Sequence, residues 1–222
     1  MNTLDAMREG RLVFQNEACM VINKLTGESS EFPAVEASDE KFPVPVHRLD
    51  MPVSGCLLLA KTPQAAAFLN AAFAGVHSRV EKSYRAIIEK PDNTAVPESG
   101  ELIHWLSFNS AKNKSFAHNE GGQGRKKAVL HYRISGEGTH YLFMEIGLIT
   151  GRHHQIRAQL AAAGLHIKGD LKYGARRSEN SGGIRLHAYS LAFPNPLQPG
   201  QRLEATALPP VMDNLWAAAL SG

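Results

Sequence analysis

From Cys56 to Ala60 the chain carries five apolar residues in a row, bounded by Gly55 on one side and Lys61-Thr62-Pro63 on the other. An apolar run of that length between those boundaries predicts a buried strand rather than a helix. Upstream, Leu12 to Lys24 predicts two short strands joined through Asn16-Glu17, with Gly27 ending the unit. Glu28 to Phe42 is polar and acidic without a period and predicts a surface loop. Downstream, Thr62-Pro63 marks a helix start, with Thr62 as N-cap and the proline in the first turn. Phe68, Leu69, Ala72 and Phe73 then fall on one face of that helix, and Gly75 stops it.

Glu81 to Lys90 alternates as a strand, with Tyr84, Ala86 and Ile88 on one face. Pro91 to Ser99 is rich in turn formers. A looser segment follows, and Asn109 to Gln123 is polar enough to predict a mobile loop. Ala128–Ser135 and His140–Ile149 predict a hairpin around Gly136-Glu137-Gly138. Gly151 and Gly164 bracket a helix with the apolar stripe Ile156, Leu160 and Ala163. Leu186 to Phe193 and Leu203 to Leu208 complete the strands, and a short helix from Val211 to Leu220 packs outside. No repeat of fixed period and no long Gly/Ser linker interrupts the chain, so a single domain over 1–222 is expected. Hairpins outnumber strand-helix-strand units. That balance predicts an α+β fold, a mixed and largely antiparallel central sheet flanked by helices.

Composition narrows the class. The 222 residues are 43% hydrophobic and 20% charged, as in an ordinary soluble globular protein. The first ten residues carry Asp5 and Glu9 and no apolar run, and no apolar segment approaches a membrane span. The two cysteines, Cys19 and Cys56, form neither a disulfide framework nor a zinc pattern. These features predict a cytoplasmic protein away from membranes. A net charge of +3 is compatible with nucleic acid, and Arg125-Lys126-Lys127, Lys168, Lys172, Arg176 and Arg177 concentrate in the second half. Taken singly, each is explained as solvated surface.

Candidate chemistry gathers just before the apolar run. His47, Arg48, Asp50 and Ser54 fall within eight residues, between Pro45 and a strand, with Pro52 stiffening the loop. A carboxylate beside an arginine there suits catalysis; an ordinary surface ion pair is the other reading. Arg157 lies at the edge of the predicted helix stripe, where a guanidinium can reach a partly buried carboxylate and lower its pKa. Lys168-Gly169-Asp170-Leu171-Lys172-Tyr173-Gly174 places glycines where backbone must approach something closely. Adjacent His153 and His154 cannot share one helix face and lack the i,i+4 spacing of zinc hydrolases, so no metal is expected.

Together these residues amount to a family resemblance. HRLDMPVSGCLLLAK resembles the HRLDxxTSGxxxxAK motif of the RluA-type pseudouridine synthases, and KSYRA (82–86) resembles that family's K-x-Y-x-A strand. GRHHQIR with GDLKYG is similar to its GRTHQIR and GDxxYG pair, and LHAYSLAFPNP to its C-terminal LHA-x-x-L-x-F-x-x-P strand. The matches keep the family's order over residues 12 to 208. The resemblance implies the pseudouridine synthase catalytic fold and isomerisation of uridine to pseudouridine in structured RNA, a ribosomal or transfer RNA stem-loop, without cofactor or metal. It implies Asp50 as the nucleophile, attacking the sugar C1′ or the base C6. Arg157 would pair with the aspartate. Tyr84 would stack on the base and assist proton removal from C5, although the strand pattern alone fits a core tyrosine. Arg48 would fill the space left by the extruded base. His47, Lys168, Lys172 and Arg176 would contact RNA, as would Arg125 to Lys127.

The chain departs from the family pattern at three points. Val53 and His153 stand where threonine is usual, and Asn23-Lys24-Leu25-Thr26-Gly27 lacks the proline of N-K-P-x-G. His153 puts a titratable group near the presumed site, which predicts pH dependence around neutrality. No N-terminal RNA-binding domain of the S4 type is expected, and one core accounts for the apolar residues, so a monomer is expected. A non-catalytic RNA-binding protein on the same scaffold and a metal-dependent hydrolase are the competing readings.

Overall fold

The computed structural model describes residues 10–31, 43–74, 79–92, 95–180 and 182–221. The chain forms two compact units, Met1–Lys82 with His187–Val211, and Ser83–Leu186 with Met212–Gly222. The first unit holds strands β1 (Leu12–Gln15), β2 (Cys19–Lys24), β3 (Val44–Pro45), β4 (Ser54–Ala60), β11 (Leu186–Pro194) and β12 (Arg202–Thr206), and helix α1 (Pro63–Phe73). β4 pairs antiparallel with β2 and β3 and parallel with β11, while β12 adds antiparallel to β11. Every residue of β4 is buried, as its uninterrupted apolar run requires. One face, with Cys56, Leu58 and Ala60, packs on Ala65, Leu69 and Ala72 of α1.

Thr62 caps α1 as expected: its hydroxyl accepts the Ala65 N–H at 3.1 Å, with Pro63 at the first turn. The expected stop at Gly75 and most of the expected loop up to Phe42 lie outside the described residues. Gly55 sits at φ +120°, and a Cβ there would come 2.2 Å from the Ala188 carbonyl oxygen. Only glycine lets β4 and β11 approach so closely. Cys19 and Cys56 are buried thiols, pushed by burial to about 11 and about 12, so neither supplies a thiolate near neutral pH.

The second unit holds β5 (Glu81–Glu89), β6 (Ser99–Asn109), β7 (Lys114–His118), β8 (Lys126–Glu137), β9 (Tyr141–Leu148) and β10 (His166–Ile167). Its helices are α2 (Gln155–Ala162), a 3₁₀ turn (Leu171–Tyr173) and α3 (Asn214–Leu220). The strands pair antiparallel in the order β10-β5-β9-β8-β6-β7. The largely antiparallel strands and their packed helices bear out the α+β expectation. α2 covers one face through Ala158 against Leu106 and Ala128, and Trp216 and Ala219 of α3 pack on Ile87 and Phe143.

Three local expectations are corrected. Residues 99–118 form the β6–β7 hairpin rather than a loose segment and a mobile loop. β7 is an edge strand, and an edge strand tolerates polar residues because only one side must pair. Its turn is closed by Asn109 Oδ1 accepting the Lys112 N–H at 2.9 Å, with Asn113 at φ 44°. On α2 the predicted stripe fails at Ala163, which is exposed at the helix end, while Gln155, Arg157 and Gln159 are buried. The last helix starts at Asn214, because Asp213 accepts the Trp216 N–H at 3.0 Å and fixes the N-terminus there.

Candidate active site

Asp50 opens a turn closed by the Val53 N–H donating to the Asp50 carbonyl at 3.0 Å. The next carbonyl, of Met51, accepts from the Gly27 N–H at 2.7 Å and from Lys24 Nζ at 3.3 Å. Lys24 is fully buried and also donates to the Leu25 and Glu28 carbonyls, each at 2.9 Å. On the other side of the loop, buried Ser30 accepts the Leu49 N–H and donates to the Leu49 carbonyl, both at 2.9 Å. The backbone on either side of Asp50 is thus tied to residues 24–30. Lys24, read in the sequence only as part of an entry strand, is the residue whose role was missed. The signal was its position at the end of a strand that opens with four apolar residues, Cys19 to Ile22.

Burial pulls the Lys24 ammonium down to about 8, against the opposing pull of the Glu28 and Asp50 carboxylates. The group is therefore charged below about pH 8 and neutral above it, and its burial cost is relieved as pH rises from there toward 10.5. Deprotonation leaves two N–H bonds for three carbonyls and removes a positive charge that acts on Asp50. Activity should fall on an alkaline limb near pH 8. In Lys24→Met that limb should vanish, with stability lower by about 1–3 kcal/mol as carbonyls lose their donor. A pH–rate profile and a urea titration of both proteins check this.

His47 does not offer its ring as an RNA-contacting cation. Its Nε2 accepts the Leu58 N–H at 3.0 Å and the ring stacks on Phe73 with centroids 4.8 Å apart. Burial, with Lys82 adding to it, lowers its pKa to about 3. Its neighbour Arg48 is exposed and pairs with Glu31 at 3.3 Å. Ser54, counted in the polar cluster, is the first residue of β4 and is buried against His187 Nδ1 at 2.8 Å, while His187 Nε2 donates to the Ala207 carbonyl.

In the second unit, Tyr84 is a buried residue of β5 whose register partner is Ile146 of β9. Arg157 is 5% exposed and grips the 2% exposed Asp170 through Nε–Oδ2 at 2.7 Å and Nη2–Oδ1 at 2.9 Å. That bidentate pair joins α2 to the loop in which the sequence placed close-packed glycines. Gly169 and Gly174 are indeed at positive φ, and a Cβ on either would come within 2.8 Å of Glu179 or His166. The Arg157 guanidinium also lies 4.8 Å from the Tyr173 ring centroid. The Tyr173 hydroxyl bonds His154 Nδ1 at 3.0 Å and accepts the Ser115 N–H at 2.9 Å. Asp170 is a second residue the sequence left without a role.

The predicted basic contacts separate. The Lys168 ammonium is committed to Glu179, which also binds Arg185 at 2.9 Å, and Arg185 reaches Asp213 at the cap of α3. Burial alone would raise the Glu179 carboxyl, but hydrogen bonds from Arg185 and Lys168, with their charges, hold it at about 2. Lys168 therefore ties structure together. Lys172 is exposed and donates to the Asn113 carbonyl at 3.1 Å, and exposed Arg176 pairs with Asp92. Among the described residues no cluster of three His, Cys, Asp or Glu could hold a metal ion, and no helix is long and apolar enough to cross a membrane.

Three histidines give the fold a pH signature. Burial lowers His47 and His154 to about 3 and His187 to about 4. The unfolded chain takes up these protons near pH 6.5 while the folded chain refuses them. The stability they confer is complete above that pH and declines as pH falls. The loss should reach about 1.4 kcal/mol per pH unit for each group that titrates. Urea midpoints measured from pH 7 to pH 5 should fall steadily.

A family model described as RNA pseudouridylate synthase matches residues 16–162. The chain belongs to that family. An uncharacterized RNA pseudouridine synthase of Zymomonas mobilis is 37% identical over 158 residues, which cover 68% of this chain and 67% of that one. The ribosomal large subunit pseudouridine synthase D of the same organism is 33% identical over 160 residues, 68% of this chain and 48% of the relative. The chain thus aligns with about half the length of that relative. Among solved structures, human RNA pseudouridylate synthase domain containing 4 superposes with a TM-score of 0.73 at 20% identity, covering 99% of this chain and 95% of that one. The domain containing 1 protein gives 0.69 at 23% identity, covering 90% and 84%. These two show the shared pseudouridine synthase fold. The RluA-type resemblance read from the four motifs is borne out.

Proposed function

We propose that the chain isomerises uridine to pseudouridine in a ribosomal or transfer RNA stem-loop, acting as a monomer in the cytoplasm. Asp50 is the nucleophile of this reading, Tyr84 the ring that stacks on the base, and Arg157 the cation that the resemblance pairs with Asp50. Arg48, Lys172 and Arg176, all exposed, are its RNA contacts; His47 and Lys168 serve the fold. The observation that carries it is the Asp50 turn, a family-matched carboxylate on a loop held from both sides by Lys24, Gly27 and Ser30. Such a loop presents a carboxylate in one geometry, which covalent catalysis needs.

The carboxylate adds to C1′ or C6 and the C1′–N1 bond breaks. The base then turns, C5 bonds to C1′, the bond to the Asp50 carboxylate breaks and frees it, the C5 proton leaves, and N1 gains one. Atoms balance with no cofactor or metal. The test is tritium release from C5-tritiated uridine in unmodified ribosomal and transfer RNA transcripts. Release by the purified chain supports the reading. RNA binding without release from any transcript overturns it in favour of a non-catalytic RNA-binding protein.

A further inference from the structure

Phe108, at the end of β6, is 54% exposed, yet its ring is anchored on one side. Its centroid lies 4.4 Å from that of His153, edge to face, and His153 stacks on His154 at 3.8 Å. His154 is bonded to the Tyr173 hydroxyl, and Arg157 lies over the Tyr173 ring. A column of rings therefore runs from solvent down to the buried Arg157–Asp170 pair. His153 is further fixed by Ser115 Oγ, 3.0 Å from its Nδ1. An aromatic ring held this firmly loses little entropy when a flat partner settles on its open side.

The surroundings name the partner. Lys114 donates to the Lys172 carbonyl and sits 4.7 Å from the Tyr173 centroid, while Lys172 donates back to the Asn113 carbonyl at 3.1 Å. These bonds lace the hairpin tip to the 3₁₀ turn and bring the lysines to one place, with exposed Lys112 in the same hairpin turn. Residues 105–118 contain no Asp or Glu, and Asp170 is already spent on Arg157. An anchored aromatic face among cations without carboxylates fits a nucleobase with its phosphates, and stacking on such faces is sequence-tolerant.

We propose that Phe108 is a nucleobase-stacking platform for an unpaired nucleotide of the bound RNA, with Lys112, Lys114 and Lys172 meeting its backbone. This rests on the RNA-modifying reading and extends it to a contact that the family motifs do not contain.

A short fluorescent oligouridylate is the probe, with anisotropy as readout. Phe108→Ala should weaken binding on the order of tenfold and raise KM for tritium release, with kcat within about twofold. Phe108→Trp should bind like the parent, and its added fluorescence, taken against the two native tryptophans, should be quenched by RNA. Phe108→Leu, which keeps apolar bulk without a ring, should behave like Phe108→Ala. Equal binding by the parent and Phe108→Ala, or full rescue by Phe108→Leu, overturns the platform. So does polyglutamate binding with the same dependence on Phe108, which would point to an acidic protein. The two readings fail separately. Tritium release with no effect of Phe108→Ala sinks the platform alone, whereas Phe108-dependent binding without release sinks the isomerase alone.

Discussion

Replacing Asp170 with alanine should cost the protein about 3–5 kcal/mol of stability. The Arg157 guanidinium is 5% exposed, and Asp170 accepts two of its hydrogen bonds at 2.7 and 2.9 Å. Removing the carboxylate leaves a buried positive charge facing a gap, and desolvating a charge without compensation is among the costliest single changes a fold can suffer. Replacing both partners, Arg157→Met with Asp170→Leu, should cost much less, because no charge is then stranded. The damage should also reach the ring column, since Arg157 lies over Tyr173. Urea unfolding of Asp170→Ala and of the double variant measures it. A loss below about 1 kcal/mol in Asp170→Ala would mean that the pair does not organise this part of the second unit.

Asp50→Asn should lower pseudouridine formation by a factor on the order of 10⁴ or more, a loss typical of deleting a nucleophile. Asparagine keeps the side chain's shape but is a far weaker nucleophile than an ionised carboxylate. The turn around it is held through backbone, by the Asp50 carbonyl with Val53 and the Met51 carbonyl with Gly27 and Lys24. The substitution should therefore leave the loop, the stability and RNA affinity nearly unchanged. Tritium release measures the first effect, and anisotropy with urea titration the others. A variant that unfolds would show that the carboxylate holds the loop rather than reacts from it.

Much of this was legible in the chain itself. The Cys56–Ala60 run had to be a strand with both faces covered, and Thr62-Pro63 had to start a helix, because in each case local chemistry and tertiary packing ask for the same thing. The family motifs were legible because their residues lie close together in sequence. What escaped was set by partners distant in sequence. Asp170 stands 13 residues from Arg157 and looked like part of a polar loop. Lys24 read only as part of the entry strand, yet the Met51 carbonyl, 27 residues away, joins those of Leu25 and Glu28 in making it the hub behind Asp50. Lys168 read as a surface cation because Glu179 and Arg185, which enclose it, belong to a later segment. His47 sat in the motif beside Arg48 and Asp50, but the strand ladder claims its ring through the Leu58 N–H. The β6–β7 hairpin was hidden for a different reason: composition reports solubility, and an edge hairpin rich in Asn, Ser and Lys pairs through its backbone.

The most direct measurement is pseudouridine mapping of total RNA from cells lacking this gene, complemented with the parent chain or with Asp50→Asn. The account predicts a modified uridine that disappears in the deletion, returns with the parent and stays absent with Asp50→Asn. Return of the modification with Asp50→Asn would contradict it, because the isomerisation would then proceed without the carboxylate on which the site is built.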